Sequence, residues 1–132
     1  MNQPLQIAKI LWGALQMSIL LYGFVLHTLG KLVIFEMPTQ PSEIDLIALL
    51  APTILVVNLL LFRKRSSSAK TNQQFLSAHI VYWALNESIA IFGFIASFMS
   101  ADGNGFFYVV NAAIAIIANL RAFPNWKADS GR

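Results

Sequence analysis

Ala84-Leu-Asn-Glu-Ser-Ile-Ala-Ile-Phe-Gly-Phe94 sets one acidic side chain, Glu87, in the middle of an apolar run that extends from about Gln74 to Met99. No other acidic or basic residue interrupts that run apart from His79. A helix rises about 1.5 Å per residue, so a run of this length spans the roughly 30 Å hydrocarbon core of a bilayer. Glu87 then falls near the midplane, where a charge is most costly. A carboxyl group kept there marks a functional site by default.

Working outward, the same apolar character covers most of the chain. Of 132 residues 57% are hydrophobic and 11% charged, and the mean hydropathy is +0.63. Soluble domains carry roughly a quarter charged residues. The composition therefore predicts an integral membrane protein, and the length allows one bundle with no second domain. Without Cys, neither a disulfide framework nor a thiolate metal site is possible. The first residues lack the basic leader and the small-residue cleavage site of a signal peptide, so the first apolar run is expected to be a true span.

Four apolar segments, at about 7–29, 44–62, 75–99 and 106–122, predict an all-α fold of four transmembrane helices in a single domain. The linkers are polar. The first holds Lys31, Glu36, Glu43 and Asp45, the second runs from Arg63 to Lys70 and reads as a solvated loop, and the third is the tight turn at 100–105. With four spans, Lys9, Arg63, Lys64, Arg65, Lys70, Arg121, Lys127 and Arg132 fall on one side and Lys31 alone on the other. The positive-inside rule makes that basic side cytoplasmic, with both termini there, in the bacterial cytoplasmic (inner) membrane. Trp126, beside Lys127, suits an interfacial anchor.

An internal repeat appears when the first and third spans are superposed. Ala14, Leu15, Ser18, Ile19, Gly23 and Phe24 match Ala84, Leu85, Ser88, Ile89, Gly93 and Phe94, while Gln16 stands over Asn86 and Tyr22 over Phe92. Asn58-Leu59 and Asn119-Leu120 tie the second span to the fourth more weakly. The pattern predicts two helical hairpins in parallel orientation. Where one copy has Glu87, the other has Met17.

Desolvation disfavours a charged carboxylate, so Glu87 is expected to hold a proton or to pair with a cation. No span interior supplies Lys or Arg as a partner. Ser88, Asn86 and Gln16 are the candidate ligands or hydrogen-bonding groups around it, for H⁺ or Na⁺ and no other cofactor. The bland alternative is a neutral Glu that glues two helices together. Gly23, Gly93, Ala14, Ala84 and Ser18 are small enough to let helices approach closely, either within one bundle or between subunits. His27 and His79 lie near opposite faces; an interfacial role fits them better than a metal site, although His79 also stands two turns before Glu87, where a proton relay is conceivable. The Arg63-Lys-Arg65 cluster suits topology or anionic lipid, and no motif suits nucleic acid or an enzyme.

At these residues the chain resembles the c-type proteolipid subunits of rotary (V-type/F-type) ATPases. Ala84 to Phe94 is similar to that family's carboxylate helix, and Ala14 to Val25 looks like the degenerate copy found in duplicated four-helix proteolipids. The resemblance implies an ion-binding role for Glu87, with Ser88 and Gln16 as ligands by analogy, and a homo-oligomeric ring among membrane lipid and other membrane subunits. Three features depart from the family pattern. The span 44–62 has no Gly and contains Pro52, the middle linker is Arg63 to Lys70, and the carboxylate-type helix opens each hairpin. A divergent relative that kept the site in another membrane complex fits these departures.

Two other function classes stay open on the sequence. A small proton-coupled multidrug-type exporter also has four spans and one membrane Glu, but in the first span, where this chain has Met17. A non-catalytic structural subunit would keep Glu87 locked between helices.

Overall fold

The computed structural model describes residues 3–124, and among these the chain is helical, with a single isolated bridge between Ile34 and Asn104. Five helices follow in order: α1 (Gln3–Thr28), α2 (Glu43–Leu50), α3 (Thr53–Ser67), α4 (Asn72–Phe98) and α5 (Phe106–Arg121). Trp126, Lys127 and Arg132 lie outside the described residues.

Helices α2 and α3 form one continuous rod. Pro52 has no N–H to donate and interrupts the helical ladder. Ala51 and Pro52 nevertheless keep right-handed helical dihedrals, and the Ile54 and Leu55 amides bond three residues back at 2.9 and 3.0 Å. The rod Glu43–Ser67 thus runs for 25 residues. It joins α1 and α4 as the three helices long and apolar enough to cross a membrane. Helix α5 is apolar but only 16 residues long, about 24 Å at the usual helical rise.

The ends follow local chemistry. Helix α1 stops at Gly30, whose φ of 68° is left-handed, with Lys31 N–H on Leu26 O (2.8 Å) and Gly30 N–H on His27 O (3.1 Å). That is a Schellman closure, and it suits glycine because a Cβ there is strained. Ser42 and Asp45 cap the start of α2 reciprocally. The basic segment read from sequence as a loop is instead the last turn of α3, through Ser67. Cations suit a helix C-terminus, and the hydroxyls of Ser66, Ser67 and Ser68 add hydrogen bonds to the Arg63, Lys64 and Arg65 carbonyls of that last turn.

At the opposite end the first and third linkers lock together. Val33 and Ile34 N–H both reach Gly103 O, Gly105 N–H reaches Ile34 O at 2.8 Å, and Asn104 Nδ2 donates to Glu36 O at 2.6 Å. Lys31 Nζ donates to Ser100 O. Ser100 Oγ donates to the Asp102 carboxylate, which with backbone donors and Lys31 holds that exposed carboxyl below its usual range.

Helix α4 is the centre of the bundle and packs against all the others. Its most apolar stretch is 44% buried, against 11% for α1 and 17% for the α2–α3 rod. Apolar side chains cover the outside instead: Ile10, Phe24 and Val56 are 72%, 64% and 63% exposed. Such an exterior is what lipid solvates and water does not.

Candidate functional site

Glu87 lies near the middle of α4, partly buried, on the edge that meets α1. Its Oε1 accepts a hydrogen bond from the Tyr22 hydroxyl at 2.9 Å. Tyr22 is held there by the Phe94 ring, 5.3 Å away between centroids and two turns along α4 from Glu87. Phe94 and Glu87 therefore present one face of α4 to one residue of α1. No second donor reaches Glu87 among the described residues. Ala84 and Ile91, the neighbours of Glu87 on its outer side, are exposed. One carboxyl oxygen is fixed by Tyr22, and the other has no hydrogen-bond partner among the described residues.

The other expected ligands go elsewhere. Ser88 donates to Leu85 O within its own helix, at 2.5 Å. Asn86 is fully buried and faces the interior, away from Glu87. There it joins three helices: Asn58 Nδ2 of α3 donates to Asn86 Oδ1, and Asn86 Nδ2 donates to Asn119 Oδ1 of α5, both at 2.9 Å. Asn58 Nδ2 also reaches Tyr82 O (2.9 Å), and Trp12 Nε1 of α1 donates to Asn119 O (2.8 Å). The result is a polar cross-brace through the bundle, with every helix but α2 attached. Buried amides are costly unless paired, so this network fixes how the helices register.

Gln16 stands outside that network. One turn after Trp12, it sits on the α5-facing side of α1 rather than beside Glu87, and both its amide atoms are buried without a hydrogen-bond partner. Asn119 Nδ2 is likewise buried and unpartnered.

The small residues divide by face. A Cβ on Gly93 would meet Phe107 O at 2.5 Å and Asn111 Cβ at 2.8 Å, and one on Gly23 would meet the Tyr108 hydroxyl oxygen at 2.5 Å. Both glycines thus admit α5 to the bundle core, where Tyr108 donates to Ile19 O. Ala14 and Ala84 are exposed on the outside, and Ser18 is partly buried. His79 is buried rather than interfacial: Nδ1 sits 2.9 Å from Phe75 O, and the rings of Phe62, Phe75 and Trp83 surround it. Among the described residues no cluster of acids and histidines is arranged to hold a metal.

Tyr22, Asn58 and Asn119 are the participants that sequence reasoning did not assign. The two asparagines carry a readable signal, since amides in apolar spans on different helices must find partners. Tyr22 offers only its place over Phe92 in the repeat. Searches of family models, of curated proteins and of solved structures each return no match to this chain.

Proposed function

We propose that the chain is an integral membrane protein in which Glu87 reversibly takes up H⁺ (or Na⁺), as a homo-oligomeric proteolipid related to c-rings or a divergent relative working in another membrane complex. The observation that carries this reading is the half-occupied carboxyl: Tyr22 holds one oxygen, and the other, without a hydrogen-bond partner among the described residues, belongs to a half-buried side chain flanked by the exposed Ala84 and Ile91. A group that exchanges a proton with a neighbouring subunit needs an exposed flank of that kind. The repeat fits as well, since Ile19 and Ile89 are buried, Gly23 and Gly93 both face α5, and Ala14 and Ala84 point outward. Matched residues thus share burial, while α1 packs on α4 and α5 and not on the α2–α3 rod that follows it. Lys9, Arg63, Lys64, Arg65, Lys70 and Arg121 gather at one end of the bundle, which under the positive-inside rule supports a cytoplasmic side for that end.

One observation favours a purely structural reading, namely that the Tyr22 bond ties α1 to α4. A hydrophobic carbodiimide separates the two, because it attacks a protonated carboxyl reached from the lipid. On the ion-site reading it labels Glu87, Na⁺ or raised pH suppresses the labelling, and Glu87→Gln abolishes it without disturbing assembly. An unlabelled Glu87 in folded protein would mean a fixed hydrogen bond and no exchange.

A further inference from the structure

The gap between α3 and α5 opens to the outside as a groove of about 520 Å³, floored by Tyr82 of α4. Its walls are apolar, with Leu59 on one side and Ile117 and Ala118 on the other. At its mouth stand two guanidinium groups, Arg63 from the last turns of α3 and Arg121 from the end of α5. Both are exposed, and neither makes an ion pair or hydrogen bond through its guanidinium with another described residue. The Tyr82 hydroxyl also has no protein partner among them, although its ring lies 4.5 Å from that of Phe62, tilted by 33°.

The charge around this mouth is one-sided. Lys9, Lys64, Arg65 and Lys70 lie at the same end, whereas Glu36, Glu43, Asp45 and Asp102 all lie at the other, and Glu87 is halfway along the bundle. The C-terminal ends of α3 and α5 point here with their own partial negative charge, which the two arginines more than offset. An apolar slot with a cationic rim fits one kind of molecule: an amphiphile with an anionic head at the membrane surface and a hydrocarbon tail lying along the helices.

We infer that the α3–α5 groove is a binding site for an anionic phospholipid, its phosphodiester held by Arg63 and Arg121 and one acyl chain packed against Leu59, Ile117 and Tyr82. This rests on the membrane reading and not on any exchange at Glu87. A lipid so placed fills the space that α3 and α5 leave between them. Packing there then depends on the head group that anchors the chain.

The test uses the full chain in non-ionic detergent, with dioleoyl phosphatidylglycerol as the probe and dioleoyl phosphatidylcholine as the uncharged-net control, and bound lipid counted by native mass spectrometry. Phosphatidylglycerol is expected to be retained in preference. The double change Arg63→Gln with Arg121→Gln should weaken that retention on the order of tenfold or more, each basic group near a membrane surface being worth roughly a factor of five. Lys64→Gln with Arg65→Gln removes the same charge outside the groove and should change it little. Ile117→Trp keeps every charge but blocks the slot at an exposed position, and should also lose the lipid. Glu87→Gln should bind lipid normally, so a failure here stays distinct from a failure of the carboxyl site. Equal loss in the Lys64/Arg65 pair would reduce the effect to diffuse surface attraction. Equal retention of both lipids, or displacement by inorganic phosphate with no effect of Ile117→Trp, would likewise overturn the site.

Discussion

Helices α1 and α4 carry matching sequence and meet opposite fates. Helix α4 is the hub, and its Asn86 is bonded on both sides by amides of other helices. Helix α1 lies on the flank, and Gln16, the counterpart of Asn86, is buried with nothing to bond. Met17, the counterpart of Glu87, is 63% exposed. What the pair shares is the face turned to α5, where both use glycine. The difference teaches that the shared residues specify packing, while the residues that differ decide which helix carries a membrane carboxyl group.

Glycine substitutions break the comparison with the largest effect. Gly93→Ala drives a Cβ into the Phe107 carbonyl oxygen, which is backbone and cannot swing aside. It should cost about 3 kcal/mol, the upper part of the usual range for overpacking. Gly23→Ala meets the Tyr108 ring, which can move at the expense of its bond to Ile19 O, and should cost about half as much. Gly13→Ala meets nothing within 4 Å and should stabilise α1 by up to about 1 kcal/mol. Thermal or denaturant unfolding in detergent checks all three; equal losses at Gly93 and Gly23 would show that α1 is packed as tightly as α4.

The amides sharpen it further. Asn86→Leu strands buried groups on Asn58 and Asn119 and should cost about 2 kcal/mol, whereas Gln16→Leu removes atoms already without partners and should be neutral or stabilising. A large loss from Gln16→Leu, measured by the same unfolding, would mean that its amide is paired in the membrane.

Much of this architecture is legible in the sequence. The apolar runs mark the helices, and the glycines at matched places mark the close contacts. Two things are not legible, and each has a physical cause. Arg63 to Ser67 are polar enough to read as a loop, yet hydroxyl groups and a helix end favour them as a final turn. The residues beside Glu87 along the chain do not surround it in space, because successive residues on a helix point about 100° apart. Asn86 and Ser88 therefore turn away, and the actual partner, Tyr22, comes from another helix.

The smallest expected effect lies in the outer linkers. Asp102, held mainly by the Ser100 hydroxyl, titrates below its ordinary value of 3.8. A carboxyl lowered in the folded state lends stability above its unfolded value and loses it as pH falls through the folded one. Melting temperature should therefore decline slightly more below about pH 3.8 in the parent protein than in Asp102→Asn. Identical acid limbs would show that the Ser100 contact is not kept in solution.

The central claim, that Glu87 exchanges an ion on α4 where α1 has none, is tested most directly by infrared difference spectroscopy of the carboxyl stretch. The account predicts a protonated-carboxyl band that disappears reversibly on raising pH or adding Na⁺, that shifts in Tyr22→Phe, and that is missing in Glu87→Gln. A band assigned to Glu87 that stays unchanged across pH and Na⁺ would contradict it.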